Sequence, residues 1–74
     1  MNATQCRMAR AALNWNIQKL SGESGVNRNT ITKFEAGGDV RTSTVNAMKL
    51  TFEAAGIQFI AENGEGPGVR LKKQ

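Results

Sequence analysis

Arg28, Asn29, Thr32 and Lys33 fall on one side of a helix when laid out at helical spacing, with Thr30 at the edge of that face. No acidic residue occurs between Ser24 and Phe34. A solvated helix of ordinary composition mixes its charges and gains from oppositely charged residues four apart. This face is instead short, rich in hydrogen-bond donors and without an opposing negative charge. Arginine can clamp guanine O6 and N7, asparagine can pair with adenine N6 and N7, and a threonine methyl can meet the thymine methyl. The four residues are therefore candidates for reading base edges. Contacts to phosphate, which fix register rather than sequence, are expected from flanking positions. Asn16, Gln18, Lys19, Thr30, Arg41 and Thr42 suit that role, together with backbone N–H groups at helix starts.

The charge distribution agrees. The chain has 74 residues and a formal charge of +4. Residues 1–50 hold seven basic and three acidic residues, whereas residues 51–74 hold three of each. The excess positive charge sits in the first two-thirds, which directs a polyanion there. Enzyme chemistry is excluded by what is missing. There is no histidine and no tyrosine, and Cys6 is the only cysteine. A nucleophile would have no imidazole base beside it, and no acid–base pair is evident. One cysteine makes neither an internal disulfide nor a thiolate metal site, so no metal, cofactor or small-molecule ligand is expected. Cys6 reads as a small buried apolar residue. Apolar runs are three residues or shorter, so neither a membrane span nor a secretory signal is present, and a cytoplasmic, nucleoid-associated protein is expected.

The elements that must hold the cationic face can be read from caps and periodicity. Thr4 is placed as the first N-cap, with a helix over residues 5–14 that sets Cys6, Ala9, Arg10 and Leu13 on one face. An arginine within that stripe demands a carboxylate from elsewhere in the chain. Asn16 caps a second helix over residues 17–24, which Gly25 ends. Trp15 covers the core edge where these two helices meet. Val26 is a hydrophobic plug and Asn27 the third cap, for a helix from Arg28 to about Ala36 with Ile31 and Phe34 inward. After Gly37-Gly38-Asp39, a fourth helix restarts at Thr42 or Ser43. It turns Val45, Met48, Leu50, Phe52 and Ala55 inward and stops at Gly56. The period then changes. Residues 57–61 and 69–72 read as two strands, separated by the turn-forming Asn63-Gly64 and Gly66-Pro67-Gly68. The last three residues are expected to fray.

Helices two and three, joined through Gly25, have the helix-turn-helix layout. Residues 5–56 resemble the phage-repressor/Cro superfamily of regulators, also called the xenobiotic-response-element type. The resemblance runs through the arginine-bearing first helix, Leu20, Gly25-Val26-Asn27-Arg28, Ile31 and Phe34-Glu35-Ala36-Gly37. It implies a mainly α fold, a four-to-five-helix repressor-like domain, here followed by a C-terminal β-hairpin. It implies that Arg10 and Glu35 form a buried ion pair, that Arg28, Asn29 and Lys33 read bases, and that Asn16, Arg41 and Thr42 grip the backbone. It further implies a transcriptional regulator, a repressor by occupancy that controls its own promoter or a mobile element. Members often open the second helix with glutamine; here Ile17 takes that place and Gln18 follows.

The chain thus divides into a DNA-binding unit, residues 1–56, and a tail, residues 57–74. An isolated two-stranded hairpin is marginal in water and has two open edges. Ile57, Phe59, Ile60, Val69 and Leu71 could pack on the chain's own fourth helix. The favoured expectation is that they pair with a second copy. A two-fold homodimer would read an inverted repeat with half-sites about 34 Å apart. The alternative function is that of an antitoxin whose residues 57–74 bind a protein partner while the helices bind DNA.

Overall fold

The computed structural model describes residues 1–61 and 63–72. Four helices are followed by two strands: α1 (Ala3–Leu13), α2 (Ile17–Ser24), α3 (Arg28–Glu35), α4 (Thr42–Ala54), β1 (Ile57–Ile60) and β2 (Gly68–Leu71). The fold is mainly helical and ends in an antiparallel hairpin. No helix among the described residues is long and apolar enough to cross a membrane.

Local chemistry sets most boundaries. Asn16 Oδ1 accepts from the Lys19 amide at 2.7 Å, and Asn27 Oδ1 accepts from the Asn29 amide at 2.8 Å, so both asparagines cap the helices they precede. Gly25, at φ +74°, ends α2. The start of α1 differs from expectation. Asn2, not Thr4, is the cap, because Asn2 and Gln5 form a reciprocal capping box with bonds of 2.8 and 2.9 Å. At the other end Asn14 adopts φ +57° and closes α1, rather than belonging to it. The third helix stops at Glu35, with Ala36 as its C-cap.

The core gathers one or two residues from every helix and from β1: Cys6, Ala9, Leu20, Val26, Ile31, Met48, Phe52 and Ile57. Trp15 stacks on Phe52 at 6.0 Å between ring centroids, and Phe59 meets the same ring edge-on at 6.2 Å. Leu50 departs from its expected inward position and is 66% exposed. Met48 and Phe52, four residues apart, define the buried side of α4, and Leu50 lies midway between them on the opposite side.

The hairpin runs one residue earlier than expected in its second strand, with Ile57 opposite Leu71 and Ile60 opposite Gly68. Cross-strand partners share a face, so Ile57, Phe59, Val69 and Leu71 all look toward the helices. Of the two arrangements expected for these residues, packing against the chain's own helices is the one seen within a single chain. Ile57 is only 2% exposed, Phe59 and Val69 are half-buried against the core, and Leu71, at the strand end, is 46% exposed. Ile60, half-buried, lies on the other face. Gln5 fastens the hairpin: its Nε2 donates to the carbonyls of Ile60 and Gly68, each at 3.1 Å. The Lys72 amide donates to Gly56 O at 2.8 Å. Of the three residues expected to fray, Lys73 and Gln74 lie outside the described residues.

One polar cluster ties α1 to the end of α3. Arg10 Nε and Nη2 donate to the two carboxylate oxygens of Glu35 at 2.7 and 2.6 Å, and Arg10 Nη1 donates to Trp15 O at 3.1 Å. The Cys6 thiol donates to Glu35 Oε2 at 3.2 Å, and Arg7 Nη1 donates to the Glu35 backbone carbonyl. Burial, the hydrogen bond to Glu35 and its negative charge push the Cys6 thiol up to about 12. Burial alone would raise the Glu35 carboxyl as well. The bonds from Arg10 and Cys6 outweigh it and hold Glu35 below its usual range.

Breaking a buried pair by removing one partner costs about 3–5 kcal/mol, and the 20% exposure of the Arg10 side chain places this pair at the low end. Glu35→Ala should therefore lower unfolding free energy by about 3 kcal/mol in denaturant titration. Because the folded carboxyl titrates below its ordinary value of 4.5, its contribution is complete above that pH and is lost as pH falls through the depressed value. Acidification below about 4.5 should consequently destabilise the wild-type chain more steeply than Glu35→Gln, and parallel pH profiles would refute the assignment.

Candidate nucleic-acid interface

The turn between α2 and α3 fixes how α3 stands on the molecule. Leu20, Val26 and Ile31 are buried together. Ser21 Oγ donates to the Val26 carbonyl at 2.6 Å, and Ser24 Oγ accepts from the Val26 amide at 3.2 Å, so the plug residue is held through side chain and backbone alike. With Ile31 and Glu35 facing the core, Arg28, Asn29, Thr32 and Lys33 are left exposed on the outer side, and Thr30 is half-buried at the edge. None of the four is covered by the chain itself. The first turn of α3 carries no acidic residue.

The end of α3 is shaped as carefully as its start. Gly37, at φ +91°, takes the left-handed conformation, and the Gly38 amide donates to Lys33 O at 2.9 Å while the Gly37 amide donates to Phe34 O at 3.0 Å. These bonds are the paired closure of a helix C-terminus that favours glycine. Gly38 is constrained for a different reason. A Cβ there would lie 2.6 Å from Lys33 Cγ and 3.0 Å from Lys33 O, so the loop runs directly along the Lys33 stem.

The flanking candidates separate into groups. Thr30, Lys33, Arg41 and Thr44, with Asp39 and Val40, line one shallow groove of about 300 Å³ between α3 and the start of α4. Lys33 and Arg41 are thereby brought side by side, with Asp39 the one acidic residue of that groove. Thr42 is the exposed first residue of α4. Arg41 holds the N-cap position without a side-chain cap bond, so its guanidinium is not spent on the helix end. A second groove, of about 330 Å³, places Asn27, Thr30, Ser43 and Thr44 around the turn. Asn16 is exposed, and its cap bond engages only the amide oxygen, leaving the NH₂ donors to face other partners. Gln18 is exposed on the first turn of α2. Lys19 is differently placed: its ammonium pairs with Glu23 at 2.8 Å and lies 5.8 Å from the Trp15 ring centroid, so a phosphate would have to compete with both. The last group, Ile57, Phe59, Ile60, Val69 and Leu71, belongs to the hairpin, on which Gln5 of α1 and Phe52 of α4 converge.

Three residues that position this face escape a reading based on composition. Arg7 looks like surface charge but anchors the last carbonyl of α3; nothing in its spacing reveals that. Gln5 could have been found, since asparagine followed three residues later by glutamine is a capping-box signature. Gly38 is masked by its neighbour Gly37, because a glycine pair reads simply as a loop.

The two glycines should respond differently to alanine. Gly37→Ala forces an unfavourable φ with nothing within 4 Å to disturb, so it should lower stability while leaving Lys33 in place. Gly38→Ala should cost about 1–3 kcal/mol by crowding and also displace Lys33, seen as a larger chemical-shift change at Lys33 than in the Gly37 variant. Equal shifts in both would show that Gly38 does not support that side chain.

Scanned against protein-family models the chain matches none, and a search of curated proteins likewise finds no match.

Proposed function

We infer that this chain is a sequence-specific double-stranded DNA-binding regulator that presents α3 to the major groove. The observation that carries the reading is the exposed face of α3, where Arg28, Asn29, Thr32 and Lys33 stand clear of the protein with no carboxylate among them. An α-helix with its side chains is about 10–12 Å across, which the major groove, about 12 Å wide, admits. Arg28 and Asn29 lie in the first turn of α3, at the end that meets base edges when such a helix is inserted.

The neighbouring elements support a division of labour. Arg41 and Thr42 beside α3, and Thr30 at its edge, present donors suited to phosphate, while Asn16 and Gln18 do so from the start of α2. The repressor/Cro-like resemblance of residues 5–56 accords with this arrangement. On this reading, regulation would proceed by occupancy of DNA in the cytoplasm, a homodimer covering an inverted repeat.

Selection of bound sites from random DNA should return a short motif repeated with two-fold symmetry at a spacing of about one helical turn. Arg28→Ala should cost about 1–3 kcal/mol at one base position and relax preference there. Arg41→Ala should weaken all sequences alike and lower the salt slope by about one unit. Unchanged operator affinity in Arg28→Ala would remove α3 as the reading element.

A further inference from the structure

The most exposed large apolar side chain among the described residues is Leu50, on the outer side of α4. It is not an isolated exception on a polar surface. Leu50, Thr51, Ala54 and Ala55 line a shallow groove of about 440 Å³ whose far wall is Trp15 and Glu23. Ala54 and Thr51 are small enough for another helix to approach closely beside Leu50. Thr51 Oγ1 is turned back on the Ala47 carbonyl at 2.9 Å, which leaves its methyl on this surface.

We propose that this face of α4, centred on Leu50, is where a second copy of the same chain docks, with the two α4 helices antiparallel across a two-fold axis. Charge selects this occupant. Lys49 and Glu53 occupy one flank of the Leu50 stripe, four residues apart, and the paired Lys19 and Glu23 border the other. The face is therefore neutral and carries both signs. A two-fold contact requires a surface that complements itself. Antiparallel helices place like flanks together, so an axis near Thr51 sets Lys49 of one copy against Glu53 of the other. A partner of strong single charge would find no matching field here. The hairpin is a poorer choice, because an antiparallel pairing of two β2 edges centred on Leu71 would set Arg70 of each copy against Lys72 of the other.

The position also fits the proposed DNA reading, on which the orientation of the dimer rests. Leu50 lies eight residues beyond Thr42, about 12 Å along α4 from the end that borders α3. Two chains can meet there with both reading helices uncovered. Each chain measures 30 × 28 × 18 Å, so two side by side are large enough to span half-sites one DNA turn apart, about 34 Å.

Sedimentation equilibrium of the full chain without DNA, from about 1 μM to about 1 mM, tests the surface. Wild type should dimerise, and Leu50→Glu should raise the dimer Kd about tenfold or more while its circular dichroism and melting temperature stay unchanged. Glu53→Lys should weaken the dimer, and Lys49→Glu combined with Glu53→Lys should restore it, a rescue that mere loss of apolar area would not give. A wild-type chain monomeric throughout overturns the proposal. So does a dimer that survives Leu50→Glu, or one broken instead by Leu71→Glu. A duplex carrying one half-site separates the two readings. If Leu50→Glu binds it as wild type does, the surface is confirmed as distinct from the DNA face. If wild type dimerises but binds no half-site, the docking surface stands and the DNA reading falls.

Discussion

The orientation of the cationic helix depends on two arginines of α1 and one glutamate. Glu35 ends α3, faces the core and is only 8% exposed, so its carboxylate could not be accommodated there alone. Arg10 satisfies both oxygens in a forked pair, Cys6 adds a third bond, and Arg7 takes the backbone carbonyl of the same residue. A forked pair fixes a plane as well as a distance. In net energy such a pair is close to break-even, since desolvating two charges offsets most of their attraction. What it adds is uniqueness of pose. An apolar contact at residue 35 would hold the helix with comparable strength but would let it roll, turning Arg28 and Lys33 together away from their outward direction.

A chain of this length has little core to spare, and the hairpin extends that core. Ile57 enters the apolar cluster, and Phe59 brings a third ring to Trp15 and Phe52. Because α1 is reached from two sides, by Glu35 of α3 and by the hairpin through Gln5, it links α3 to the hairpin. Gln5 has three jobs at once: its amide and its Oε1 complete the α1 cap with Asn2, and its Nε2 closes the hairpin end. That concentration explains why Gln5, a polar residue, is as buried as the core around it.

How much of this was legible beforehand follows from the range of each interaction. Caps and left-handed turns are local, so Asn16, Asn27 and Gly25 could be assigned from sequence, as could the presence and order of all six elements. Arg10 announced a missing carboxylate by its place in an apolar stripe, although only the resemblance pointed to Glu35. Long-range choices were not accessible in this way. The alternation in residues 57–61 and 69–72 says that one face is apolar; it does not say whether that face meets its own helices or another molecule. Leu50 was misplaced because an apolar residue in an amphipathic helix is normally counted toward the core, and its phase against Met48 and Phe52 was outvoted by its type. Arg7 and Gly38 act on backbone atoms of α3, and no side-chain pattern encodes a contact of that kind.

The placement of the acidic residues joins the fold to the field it projects. Six carboxylates could cancel much of the positive charge if spread evenly. Instead Glu35 is buried and neutralised by Arg10, Glu23 is bound to Lys19, and Glu53 lies on the outer half of α4, away from α3. Among the described residues only Asp39 shares a groove with Lys33 and Arg41. The potential near α3 is thus set by Arg28, Lys33 and Arg41 with one opposing charge, while the far side of α4 is balanced. The asymmetry does not come from net charge, which is modest. It comes from a fold that uses one glutamate internally, ties a second to Lys19 and carries a third near the end of α4 remote from the cationic helix.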